Sequence, residues 1–479
     1  MAITISSGPI EGASSGGVDR YLGIPYAAAP VGALRFAGPM PHPRWTELRD
    51  ATAWGPTAPQ APYSGGLETL LPSVDIPGDE YLNLNVWAPA GASDLPVMVW
   101  VHGGALVHGA NALDIYDGTA FARDGVVFVA INYRLGAEGF SVIGGAPLNL
   151  GLLDVVAALR WVKAEISAFG GDPSRVTVAG ESAGAILLGT LLANCEVNSE
   201  VDGLFARMIL QSGLPTAAPR ATAAKISRLM AKRLRIPASR ATFSAVDASD
   251  LVAAQRAVTA GSTPITGGPS FSIAIGDDLV PADPGRAVMA GAGDSIPLLV
   301  GSNTEEYRLW FVPTGLMSKI TATLFAAARV RFRISRRILD VYKAARPGAS
   351  RGELFGVLAT DIILRLPLNR IADARLSRGA ETYVYEFGWS SPVQELGAAH
   401  AMEIGFVFDR LDSPDATAMA GTDAPQQLAD DMHSAWVRFV KTGDPGWEKW
   451  SSRRPVQTFD APASRLAYAP HETERAAWR

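Results

Sequence analysis

Four features of this 479-residue chain could do chemistry together. The first is Gly180-Glu181-Ser182-Ala183-Gly184. A serine hydroxyl is a weak nucleophile until a neighbouring base takes its proton. Glycines flanking the serine at a distance of two let the backbone turn sharply and let other elements approach, so the hydroxyl stands exposed on a tight turn. The second feature is the supply of bases: six histidines, His42, His102, His108, His400, His433 and His471. The third is Glu305-Glu306, two adjacent carboxylates just past the apolar run Leu298-Leu299-Val300. Either could hold an imidazole in one orientation and stabilise its protonated form. The fourth is the turn His102-Gly103-Gly104-Ala105, whose backbone N–H groups could receive the negative oxygen of a tetrahedral intermediate. Serine, base, acid and oxyanion donors together spell acyl transfer through a covalent intermediate.

Such groups need a rigid frame. Six short, mostly apolar runs recur along the chain: Val97–Val101, Val126–Ile131, Val176–Ala179, Met208–Leu210, Pro297–Val300 and Thr382–Phe387. Continuous apolar runs bounded by Gly or Asn read as central strands of a sheet covered on both faces. Between them, Leu152, Val155, Val156, Leu159 and Val162 fall at helical spacing, and Ala183 to Ala193 forms an apolar helix. Alternating strands and helices predict an α/β fold with a central, mostly parallel sheet covered by helices. Ser182 then falls between a strand and a helix, the context such a turn requires. The first 95 residues, rich in Pro, Gly and aromatics, read as short strands and wrapping loops. The stretches at about 215–261 and 316–367 read as helical insertions within one domain spanning 1–479. The second carries Arg329, Arg331, Arg333, Arg336 and Arg337 on one side, read as a solvated helix face, with a lipid-headgroup surface as the sharper alternative.

Composition narrows the class. Apolar residues make up 48% and charged residues 19%, which excludes a disordered chain. Lys plus Arg is 42 against 47 for Asp plus Glu, so the balance of −5 offers no footprint for nucleic acid. The single cysteine, Cys195, excludes an internal disulfide and zinc sites built from several thiolates, and reads as a small buried apolar residue. No metal-ligand pattern and no phosphate-cradling loop with a lysine occurs, so no metal and no cofactor is expected. No window is apolar enough for a membrane span and Met1 to Gly12 does not look like a signal peptide, so a cytoplasmic protein is expected. Oligomeric state is not legible.

The run Phe169-Gly170-Gly171-Asp172-Pro173-Ser174-Arg175-Val176-Thr177-Val178-Ala179 leads into the serine pentapeptide without a gap. Together they resemble the serine-site signature of the type-B carboxylesterases, the esterase and cholinesterase branch of the α/β-hydrolase fold, and in particular its bacterial para-nitrobenzyl-esterase-like members. The resemblance covers nearly the whole chain. Gly23-Ile24-Pro25-Tyr26-Ala27 with Leu34-Arg35-Phe36, Asp79 to Val86, Asn132-Tyr133-Arg134-Leu135-Gly136, Asn149 to Asp154, Gln211-Ser212-Gly213 and Thr442-Gly443-Asp444-Pro445 all match. Tyr81 stands where many members have a disulfide cysteine.

The resemblance implies an α/β-hydrolase and a serine carboxylic-ester hydrolase that needs no cofactor and acts on small to medium esters. In this fold the order along the chain is serine, acid, histidine. That leaves His400 and His433, since His471 lies in a polar tail. His433 sits among helix-like residues before Trp436, and His400 lies in a loop past Thr382–Phe387 that resembles the family's catalytic setting. Family register selects Ser182, Glu306 and His400 as the triad, although Tyr307 replaces the usual glycine and keeps Glu305 in play. It places the oxyanion donors on Gly104, Ala105 and Ala183. Glu181 either tunes His400 or supports the elbow, and Ser212 stands behind the reacting groups. His102 shapes its turn, and His108 is a candidate pocket-lining residue. Arg134 with Asp154, and Arg35 with Asp79, resemble the family's structural salt bridges. Substrate pockets are expected around 63–77, 305–321 and 355–367. A lipase, a carbamate or amide hydrolase and a non-catalytic binding relative are the alternatives.

Overall fold

The computed structural model describes residues 1–263 and 267–479. Among these, eleven strands make one sheet: β1 (Ala13–Ser15), β2 (Val18–Pro25), β3 (Asn83–Pro89), β4 (Leu95–Val101), β5 (Val127–Ile131), β6 (Gly171–Glu181), β7 (Arg207–Gln211), β8 (Leu298–Asn303), β9 (Thr382–Phe387), β10 (Pro455–Phe459) and β11 (Arg465–Tyr468). Their spatial order is β11-β10-β9-β8-β7-β6-β4-β5-β3-β2-β1. Strands β4 to β10 run parallel to one another, and β1 to β3 and β11 are joined to the sheet by antiparallel pairs. All six apolar runs are strands, because helices cover both faces of the parallel part. Leu150–Glu165 and Ala183–Leu192 lie on one face, with Leu152, Val155, Leu159 and Val162 fully buried. Gln426–Thr442 covers the other, its Trp436 packed edge-on against Tyr385 of β9. Cys195 is buried just past Ala183–Leu192, where its thiol donates to the Leu192 carbonyl at 3.3 Å.

Parallel strands end on the same edge of a sheet, and that edge is where open α/β sheets bind ligands. Here β4 delivers the His102 turn, β6 delivers Ser182, β7 leads to Ser212, β8 leads to Glu305-Glu306, and the segment after β9 returns as the His400 loop.

Helices lie in both of the stretches read as helical. The first comprises Arg220–Leu234, Arg240–Ser244 and Ala248–Thr259. The second runs from Arg308–Phe311 to Leu366–Leu376, beyond the expected end at Pro367. A wide π turn at Asp361–Arg365 ends two residues before Pro367, whose ring would clash with the carbonyl four residues back in a regular helix. The basic segment is not one helix. Ala322–Arg331 stops, Arg333 turns left-handed at φ 54, and Ser335 caps a new helix, Arg336–Ala345, by accepting from Ile338 N. The five arginines are therefore divided between two helices and the turn that joins them. Among the described residues, no helix is long and apolar enough to cross a membrane.

Two expected ion pairs fared differently. Arg134 and Asp154 are buried and joined in fork geometry, Nε to Oδ2 at 2.7 Å and Nη2 to Oδ1 at 2.6 Å. Arg35 does not pair with Asp79, which is exposed; its partner is Glu138, at 2.8 Å. Glu138 also accepts from the Tyr81 hydroxyl at 2.6 Å, so a tyrosine at the family's cysteine position supplies a buried hydrogen bond here.

Candidate active site

The elbow at Ser182 is a strained crossing. Ser182 has φ 53 and ψ −119, a conformation that L residues avoid and that surrounding structure must hold. A side chain at Gly184 would overlap the Val101 carbonyl, and one at Gly180 would press on Val101 and on Gly184 itself. Only glycine at both positions lets the helix Ala183–Leu192 leave this close to the end of β4. The Ser182 N–H donates to Gln211 O at 2.8 Å, pinning the elbow to β7.

The structure brings Glu306 and His400 together. Glu306 Oε2 lies 2.5 Å from His400 Nδ1. Its other oxygen accepts from Ser212 Oγ and from Asn303 N, each at 2.7 Å. Ser212 thus braces the Glu306 carboxylate from the side away from the imidazole. Glu305 points elsewhere: Oε1 pairs with Arg308 at 2.7 Å, and Oε2 accepts from Ala398 N at 3.2 Å. Tyr307 is buried against Phe311 and Gly356, so its ring packs away from the contact between Glu306 and His400.

Glu181 faces the other side of the imidazole. Its Oε1 is 2.9 Å from His400 Nε2, without the angle of a hydrogen bond, so the contact is an ion pair once the ring is protonated. Ser182 Oγ makes no hydrogen bond among the described residues; in unliganded hydrolases this bond commonly tightens only around substrate. Burial by itself would disfavour imidazolium, but Glu181 and Glu306 outweigh it and raise the His400 pKa well above the ordinary histidine value. Burial raises the Glu181 pKa, opposed by the His400 charge. The indole of Trp310 lies over the ring at 4.8 Å between centroids.

One participant escaped the sequence reading. Glu403 is fully buried and accepts from Gln211 Nε2 at 3.1 Å and Asn303 Nδ2 at 2.7 Å. Burial, then the charges of Glu181 and Glu306, push its carboxyl up to about 7. Its position three residues after His400 was the only signal, and nothing in the sequence pairs it with Gln211 or Asn303.

The turn after β4 is also strained. Gly104 has φ 104, and Ala105 and Leu106 are left-handed at φ 55 and 64. Each left-handed L residue costs roughly 1–2 kcal/mol, so other contacts must hold the turn. Val107 N and His108 N both donate to Gly104 O, at 3.0 and 2.9 Å. Gly136 N donates to Leu106 O at 2.6 Å, and the Tyr133 hydroxyl to His102 O at 2.9 Å. Ala183 begins its helix, so its N–H has no acceptor within that helix.

The other histidines have separate tasks. His102 stacks on Tyr133, and burial lowers its pKa to about 4, so it stays neutral. His108 is likewise held near 4 by burial. His433 bridges Val407 O and Asp124 within its helix packing. His42 pairs with Glu80. His471 is no loose tail residue: it heads the helix Glu472–Ala477 and contacts the buried Glu386 at 3.0 Å. Among the described residues, no group of three or more His, Cys, Asp or Glu is placed to hold a metal ion.

A strand-to-helix elbow on the carboxyl edge of a parallel sheet, faced by a Glu–His pair, defines an α/β-hydrolase. The profile of the Carboxylesterase family matches residues 1–472, and the chain belongs to that family and is a serine carboxylic-ester hydrolase. It is similar to the para-nitrobenzyl esterase of Bacillus subtilis, 35% identical over 456 residues that cover 93% of this chain and 91% of the relative. It is also similar to the phenmedipham hydrolase of Pseudarthrobacter oxydans, 32% identical over 92% of this chain and 90% of the relative. Among solved structures, the Geobacillus stearothermophilus carboxylesterase EST55 at pH 6.2 superposes with a TM-score of 0.89, at 34% identity and with 100% of both chains covered.

Proposed function

We propose that this esterase works through an acyl-enzyme on small to medium carboxylic esters, with Ser182, Glu306 and His400 as its triad and 1–479 as one catalytic domain. Neutral His400 takes the Ser182 proton as the hydroxyl attacks the ester carbonyl. The oxyanion that forms is received by the N–H groups of Gly104, Ala105 and Ala183. Imidazolium then passes its proton to the leaving alcohol, and Glu306 holds the ring orientation throughout. Water, activated by the same imidazole, releases the acid. The 2.5 Å contact between Glu306 and His400, on the sheet edge that also carries the Ser182 elbow, is the observation that carries this reading. The indole over His400 packs against the apolar cluster that holds Phe311 and Phe355, and an aromatic wall at this place supports modest acyl groups in soluble esters.

Ser182→Ala should abolish hydrolysis of p-nitrophenyl esters, and an organophosphate should label Ser182. Labelling at another serine with Ser182 untouched would overturn the assignment. A p-nitrophenyl ester series of increasing acyl length sets the size preference, and a sharp rate increase on emulsified long-chain triglyceride would reject it.

A further inference from the structure

The strained turn that offers the oxyanion donors is held on one side by Tyr133 and Gly136, residues that follow β5. Its other side rests on a segment far away in sequence. The side-chain amide of Gln60 pairs in both directions with the Gly109 backbone: Nε2 donates to Gly109 O, and Gly109 N donates to Oε1, each at 2.9 Å. Reversing that amide would set donor against donor, so its orientation is fixed. One residue on, His108 Nδ1 lies 2.9 Å from Ala61 O. Burial holds His108 neutral, so this nitrogen donates to the carbonyl. The Tyr63 ring then stacks on the His108 ring at 4.1 Å. A glycine at 66 lets the same segment lie directly on the Pro313 backbone, close to Trp310, which covers His400. Residues 60–66 therefore strap the oxyanion turn to the flank of the base.

From this juxtaposition we propose that Gln60 and Tyr63 are positioning residues of the oxyanion hole. This rests on the reading of Gly104 and Ala105 as its donors. Val107 N and His108 N converge on Gly104 O, and the Ala105 N–H shares the peptide plane of that carbonyl, so the placement of His108 and Gly109 sets the direction of the Ala105 N–H. Two successive left-handed residues favour relaxation of the turn, and a turn relaxed by a fraction of an ångström aims its N–H groups away from where the negative oxygen forms. The ester carbonyl of the bound substrate needs those donors far less than the tetrahedral intermediate does. Loss of the strap should therefore lower kcat and leave KM almost unchanged.

The test uses the full chain with Gln60→Ala, Gln60→Met, Tyr63→Ala and Tyr63→Phe, together with a trifluoromethyl ketone that adds to the serine as a tetrahedral adduct. Removing one oxyanion donor costs about 10²–10³ in turnover, and misaiming it should cost less: a roughly 10- to 100-fold fall in kcat for both Gln60 variants and Tyr63→Ala, with KM within about threefold of wild type. Ketone affinity should fall by the same factor as kcat/KM. Tyr63→Phe keeps the stack and should stay within about twofold of wild type. A rise in KM with kcat retained would show that the segment only binds substrate and would overturn the proposal. So would a fall in kcat with ketone affinity unchanged. If the wild-type enzyme forms no ketone adduct at Ser182, the site reading itself fails, an outcome distinct from failure of the strap alone. Gln60→Met keeps the side-chain volume, so equal unfolding midpoints for it and wild type separate positioning from folding.

Discussion

Glu305 and Glu306 are neighbours with different tasks: one oxygen of Glu306 meets the imidazole, whereas Glu305 is spent on Arg308 and Ala398 N. Glu306→Gln should lower turnover by roughly 10²–10⁴, and Glu305→Gln by less than about tenfold, measured at saturating ester. The reverse order would move the acid by one residue. Glu181 bears on the pH profile. Only neutral His400 can accept the serine proton, and two carboxylates favour its charged form, so the acid limb of kcat/KM should lie above the ordinary histidine value of about 6.5. Removing one negative charge destabilises imidazolium, so Glu181→Gln should move that limb toward lower pH. It should also lower the plateau, because imidazolium forms on the way to the intermediate. A limb that stays in place would show that Glu181 acts only on the elbow. Ser182 and the pair of acids could be singled out in the sequence by their setting, and order along the chain left two histidines, between which the family resemblance favoured His400. The clasp of His400 between two carboxylates and the raised pKa of the Glu403 carboxyl were not legible, since both arise from residues that meet only in the fold.

Among the elements, the elbow and the His102 turn share a boundary. Gly184 lies against the carbonyl of Val101, the last residue of β4, and the next residue, His102, opens the strained turn. Gly184→Ala should push this boundary apart, cost about 1–3 kcal/mol by overpacking, and depress kcat together with stability. A variant with an unchanged unfolding midpoint and full activity would show that the crossing has slack. The central strands could be read from the sequence because burial on both faces demands continuous apolar runs. Insertion boundaries could not, because they depend on single residues. Arg333 turns left-handed and Ser335 caps, which splits one basic stretch into two helices. The partner of Arg35 was equally hidden, since Glu138 reaches it across the fold from a helix a hundred residues later.

For the whole molecule, the buried Arg134–Asp154 pair ties the segment after β5 to the helix Leu150–Glu165, and Arg134 also donates to Ala37 O from the N-terminal wrap at 2.6 Å. Removing one partner leaves a buried charge alone, so Arg134→Ala should cost about 3–5 kcal/mol in denaturant unfolding. The surviving folded fraction should keep its KM, because no substrate-facing group is lost. A loss below about 1 kcal/mol would mean that water relieves the orphaned carboxylate. The lone cysteine has a different use. Burial pushes the Cys195 thiol up to about 12, so at neutral pH almost no thiolate exists to react. A cysteine introduced on the 60–66 strap or on the exposed arginine turn would thus be the only thiol that a maleimide dye or spin label could reach. Paired labels could follow the distance between strap and helical insertions in the native sequence background, with no cysteine-free parent to build first.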